Sequence, residues 1–261
     1  MSPGYDRRVR HAIDVRDLVK VFTRRGSPPV RAVDGLSFTV TAGQIFGLLG
    51  PNGAGKTTTL RILTTLIRPT SGQAHVAGCD VVREPLEVRR RITVVIQENA
   101  AELFLNVRDN LATFGRFHGL WGAALRARVD AVLEQFGLTS EASRKAMDLS
   151  GGYRRRLQVA KTFVVDTPIV FLDEFSTGMD PILKRSVMSM LRSEAARGRT
   201  IVLTTHVLSE AEQLCDDILI VNHGREIARG DVPALKRLSS SGTTLEHVFL
   251  ELMDQGIEGE R

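Results

Sequence analysis

Three short segments carry residue types and spacings suited to phosphate chemistry. Gly50-Pro51-Asn52-Gly53-Ala54-Gly55-Lys56-Thr57 fits the pattern of a phosphate-binding loop, and Thr58 follows it into a helical stretch. Glycines there let backbone N–H groups turn inward around phosphate oxygens. Lys56 offers a point charge to β- and γ-phosphates, and the start of the helix adds a partial positive charge. The Thr57 hydroxyl can ligate Mg2+. Further on, Ile169-Val170-Phe171-Leu172 is an apolar run ending in Asp173 and Glu174. Two carboxylates at the end of a buried strand repel unless a cation or a catalytic task holds them there. Asp173 suits a magnesium shell, and Glu174 suits polarising an attacking water. Between these two segments, Leu149-Ser150-Gly151-Gly152-Tyr153 opens an arginine-rich helix at 154–161. Serine and two glycines at a helix start leave N–H groups for a second anion. A simple capping loop accounts for Ser150, Gly151 and Gly152 taken alone. It does not account for their place just ahead of the acidic strand.

These segments need elements to hold them. Residues 12–21 and 32–40 read as strands, with Gly26-Ser27-Pro28-Pro29 as the turn between them. A buried-type strand at 44–49 leads into the glycine-rich loop. A helix at 57–67 follows, with Leu60, Leu63 and Ile67 on one face and Ile62 and Leu66 beside it. Arg68-Pro69-Thr70-Ser71-Gly72 ends that helix. The stretch from about 98 to 162 lacks strand patterning, and it has helix candidates at 106–120 and 123–136. Strand signals return at 168–172, 200–205 and 217–222, with a helix near 181–197 between the first two. Alternating strands and helices around a helical insertion predict an α/β fold with a parallel sheet.

Composition narrows the classes. The chain has 261 residues, 43% of them hydrophobic and 25% charged, which is ordinary for a globular protein. No run approaches the roughly 18–20 apolar residues of a membrane span. Arg7, Arg8 and Arg10 precede a segment too charged for a secretory signal, and two distant cysteines point to a reducing cytoplasm. The net charge of +5 comes from scattered groups without an aromatic platform, which argues against nucleic acid. Arginine clusters at 89–91 and 154–156 are expected on solvated helix faces.

The full set resembles the ABC ATPases: the phosphate loop, a glutamine segment at Gln97, the LSGGY signature, the acidic strand, residues 176–180, and Thr204-Thr205-His206. Softer segments resemble the drug-export branch that includes the daunorubicin-resistance ATPases. These are Ala32-Val33-Asp34-Gly35-Leu36-Ser37-Phe38, Ala77-Gly78-Cys79-Asp80 after Pro69-Thr70-Ser71-Gly72, and Leu245-Glu246-His247-Val248-Phe249-Leu250-Glu251-Leu252. The resemblance implies an ABC-type cassette over 11–236. It has a parallel-sheet phosphate-loop core, an antiparallel β subdomain, a helical subdomain inserted at about 98–162, and a tail at 237–261.

The resemblance also implies function. ATP and Mg2+ bind between two copies, a homodimer arranged head to tail. Each nucleotide lies on the loop of one copy, Gly50 to Thr58, and under Ser150, Gly151 and Gly152 of the other. Glu174, His206 and Gln97 are the implied catalytic residues. Gln97 joins Thr57 and Asp173 at the metal, Asp180 lies at the seam, and Phe22 stacks on adenine. Separate membrane-spanning permease subunits, met at the cytoplasmic face of the cell membrane, move a drug-like or lipid-like compound outward. The competing class is an ABC ATPase of translation or DNA repair without a transporter. One signature and no long heptad run between Gln97 and Leu149 argue against it. Tyr153, Phe175 and Ile96 depart from the family's usual residues. Leu103, Phe104 and Leu105 form a short apolar run that either packs inside the helical lobe or walls a groove for the permease.

Overall fold

The computed structural model describes residues 11–95, 101–239 and 244–258, with side chains to residue 253. The described residues build two sheets. The first is antiparallel, in the order β2-β1-β4-β5, from β1 (His11–Arg24), β2 (Ser27–Thr41), β4 (Ser71–Val76) and β5 (Cys79–Asp80). The second contains β3 (Ile45–Leu49), β6 (Ile92–Val95), β7 (Ile169–Asp173), β8 (Thr200–Thr205), β9 (Asp217–Asn222) and β10 (Arg225–Gly230), ordered β10-β9-β3-β8-β7-β6. It is parallel from β9 to β6, with β10 antiparallel at its edge. Every residue of β3, β7 and β8 is buried, as expected of strands covered on both faces.

Helices α1 (Lys56–Leu63), α2 (Pro85–Arg91), α6 (Pro181–Ala196), α7 (Leu208–Leu214) and α8 (Val232–Lys236) accompany the two sheets. Between β6 and β7 lie α3 (Val107–Phe117), α4 (Gly122–Gln135) and α5 (Gly151–Val164). They pack on one another through Leu111, Leu125, Val129, Leu133, Phe136 and Phe163, all buried. Asn106 starts α3 by accepting the Asp109 N–H at 2.7 Å. The described residues end in α9 (Leu245–Glu258), whose Leu245 and Val248 are fully buried beside α7 and α8.

Two local readings of the sequence are corrected. The segment Gly26-Ser27-Pro28-Pro29 is not the turn; Arg25 and Gly26 turn, and β2 runs through both prolines. Proline is tolerated because β2 is the edge strand of its sheet among the described residues. The helix predicted over 57–67 stops at Leu63. Thr65 takes the left-handed conformation (φ 63°), the Thr65 N–H bonds Ile62 O, and the Leu66 N–H bonds Arg61 O at 2.9 Å. That closure turns Leu66 out to solvent and leaves Ile67 only partly buried.

Candidate active site

Parallel pairing sets the site. Leu49 lies opposite Thr205, and Asp173 lies opposite Thr204. The carboxyl ends of β3, β7 and β8 therefore share one edge, where open α/β sheets bind ligands. From that edge emerge the loop at 50–57, the acidic turn at Asp173 and Glu174, and His206. At this edge Val30, Ala32, residues 52–58 and Glu174 line a cleft of about 500 Å3.

The loop needs glycine at two points. A Cβ on Gly50 would sit 2.2 Å from Val221 O, and one on Gly55 (φ 101°) would sit 2.3 Å from Ala32 O. Both approaches bring the loop hard against neighbouring backbone, which no larger residue permits. Lys56 is buried, and its ammonium donates to Gly50 O at 2.8 Å and Pro51 O at 2.9 Å. Burial pushes its pKa below the ordinary lysine value, against the pull of Glu174 and Asp173. The Thr57 hydroxyl donates to the Asp173 carboxylate at 3.3 Å, and the Thr204 hydroxyl donates to the same carboxylate.

Glu174 holds a left-handed backbone conformation (φ 48°). Its N–H donates to Thr204 O at 3.1 Å and Thr204 Oγ1 at 3.2 Å. Its Oε1 lies 3.1 Å from His206 Nδ1, so the acid and the histidine face each other across the strand ends.

The other expected residues are distributed differently. Phe22 is 44% exposed, with the Lys20 ammonium 5.1 Å from its ring centre. It pairs with Val30, which lines the cleft, but does not itself line it. Ser150, Gly151 and Gly152 also lie outside the cleft lining, and Ser150 Oγ caps α5 by accepting the Tyr153 N–H at 3.4 Å. Asp180 caps α6 through the Leu183 N–H at 2.9 Å, and its carboxylate lies 3.6 Å from Arg156. Gln97 lies outside the described residues.

One arginine cluster overturns its expectation. Arg154 is partly exposed, but Arg155 is buried and donates to the carbonyls of Asp173, Glu174 and Phe175. A run of three arginines looks like a solvated face until the partner is seen; only tertiary packing separates the middle one. Glu210 was missed for the same reason. It is buried at the start of α7 and accepts from Ser176 Oγ at 2.7 Å and Thr205 Oγ1 at 3.3 Å, with Lys184 Nζ at 2.5 Å. Glu210→Ala is expected to cost about 1–3 kcal/mol by leaving the Ser176 and Thr205 hydroxyls without their acceptor. That should lower the melting temperature by several degrees in calorimetry.

Residues 33–177 match the family model described as ABC transporter. The chain belongs to the ABC transporter family. The cassette is 43% identical over 250 residues to the daunorubicin/doxorubicin resistance ATP-binding protein DrrA of Streptomyces peucetius, covering 96% of this chain and 74% of that protein. It is 45% identical over 203 residues to the Nod factor export ATP-binding protein I of Paraburkholderia xenovorans, covering 78% of this chain and 67% of that protein. Among solved structures, the ATP-binding subunit of an ABC transporter superposes with a TM-score of 0.85 at 26% identity, over 93% of this chain and 99% of that one. The cassette is thus an α/β ABC ATPase that binds and hydrolyses ATP. Its two sheets and helical lobe match the fold implied by the sequence resemblance.

Proposed function

We propose that the cassette is the ATP-hydrolysing motor of a membrane exporter for drug-like or lipid-like compounds, acting as a head-to-tail pair. The observation that carries the pairing is a separation. The loop and Glu174 line one cleft, with Asp173 bonded to Thr57 and His206 to Glu174, while the signature start at Ser150 is not among the residues that line it. In a head-to-tail pair the second anion site caps the partner's nucleotide.

Within each site, Lys56 and the N–H groups of the loop bind the phosphates, aided by the start of α1. Thr57 and Asp173 supply adjacent hard oxygen donors that would hold a magnesium ion, and the sequence resemblance assigns Gln97 to the same ion. Mg2+, when bound, neutralises phosphate charge. Glu174 orients and polarises the attacking water, and His206 holds the far side of the γ-phosphate. Phe22 meets the adenine face and Asp180 stands near the seam.

Export rests on what the relatives are named for, drug resistance and Nod factor export. Among the described residues no helix is long and apolar enough to cross a membrane. We assign the movement of the solute to a separate permease, with the cassette bound peripherally at its cytoplasmic face. Phe104 is 81% exposed, so the reading that packs it inside the lobe fails. Its neighbours Leu103 and Leu105 offer carbonyls to Met147 and Ala146 N–H at 3.0 and 2.9 Å, which pins the segment and presents the ring outward. An exposed aromatic on a pinned turn suits an anchor for a permease helix.

Two measurements test this reading. The purified chain should release phosphate from MgATP. Phe104→Ala should keep that turnover and its melting temperature, yet lose recovery with a co-expressed permease of about six spans. Undiminished recovery would contradict the docking role.

A further inference from the structure

The helix that begins at the signature also carries a residue that shapes the acidic turn of its own chain. Arg155 lies on α5, five residues beyond Ser150, about 7–8 Å along the axis. Its guanidinium is spread over a set of fixed acceptors. Nε donates to Phe175 O at 3.0 Å, Nη2 to Asp173 O at 2.7 Å and also to Glu174 O, and Nη1 to Gln158 Oε1 at 2.7 Å. Three consecutive carbonyls, those of residues 173, 174 and 175, thus converge on one side chain. On the opposite side the Glu174 N–H is held by Thr204.

This double hold explains how Glu174 stays in a left-handed conformation that a residue with a side chain disfavours. That backbone angle fixes the direction in which the carboxylate leaves the strand, toward His206 and the cleft. A planar fork spreads its donors to match three carbonyls along a turn, whereas an ammonium gathers its donors on one nitrogen. Burial at 7% exposure adds that water cannot substitute for the lost donors.

We propose that Arg155 is a positioning residue for hydrolysis, setting the backbone of Glu174 from the signature helix. The proposal rests on the reading above in which Glu174 polarises the water. It adds a link between sites. In a head-to-tail pair, the α5 start contacts one nucleotide and, through Arg155, holds the acid that serves the other.

The test uses the full chain with Arg155→Lys and Arg155→Met, assayed beside the wild type and Glu174→Gln. Arg155→Met should lose about 10–100-fold in kcat while its KM for MgATP stays within about threefold, because the phosphate loop is untouched. Arg155→Lys should fall between it and the wild type. ATP affinity by calorimetry should match the wild type in both. If Arg155→Met does not fold, Arg155→Lys decides alone. A kcat within twofold of wild type, or kcat and ATP affinity falling together with the melting temperature, would overturn the positioning role. Failure of the underlying reading looks different: the wild type would not hydrolyse MgATP, or Glu174→Gln would turn over normally.

Discussion

Lys56→Ala is expected to lose tight MgATP binding while the chain stays folded. The ammonium is the one formal positive charge the loop brings to the phosphates, and it is held in place by the carbonyls of Gly50 and Pro51. Charge-assisted contacts to phosphate are among the stronger hydrogen bonds, so their loss should weaken ATP by about 100-fold, roughly 2.7 kcal/mol. The fold does not depend on that charge. Burial already opposes protonation of Lys56, and α1 is anchored by Leu60, Ile62 and Leu63 in the core. Calorimetry should therefore show weak ATP binding with a melting temperature within a few degrees of the wild type. Unchanged ATP affinity in the folded variant would remove the phosphate loop from the account.

Glu174→Gln is expected to bind ATP with near-normal affinity and hydrolyse it at least about 100-fold more slowly. Glutamine has the same size and can still meet His206. The turn beneath it is held through backbone atoms, by Thr204 on one side and Arg155 on the other, so its geometry survives the change. What disappears is the carboxylate that polarises water. Single-turnover phosphate release separates this from a binding defect, and wild-type release would refute the role of Glu174.

These residues were legible in the sequence because the chemistry dictates both type and order over a few positions. A lysine after a glycine-rich turn, or two acids ending an apolar strand, keeps its meaning whatever surrounds it. The parallel core was legible too, since β3, β7 and β8 are apolar along their whole length, as doubly covered strands must be. Strands β4, β6 and β10 escaped. β6 has only four residues and follows α2 directly, while β4 and β10 are half exposed and carry little apolar signal. The end of α1 escaped because Thr65 closes it in a conformation usually left to glycine. Arg155 and Glu210 escaped for a further reason. A charged residue on a helix reads as solvated, and only the fold reveals that the turn at 173–175 and the hydroxyls of Ser176 and Thr205 are waiting for them.

The most direct test of the central claim, two chains closing on shared ATP, is sedimentation of Glu174→Gln with and without nucleotide. ATP should convert it from monomer to a species of twice the mass, because the loop of one chain and Ser150, Gly151 and Gly152 of the other then bind the same phosphates and hydrolysis no longer reopens the pair. ADP should not do so, and adding Lys56→Ala to the variant should abolish the shift. A chain that binds ATP tightly yet stays monomeric at every nucleotide concentration would contradict the shared site.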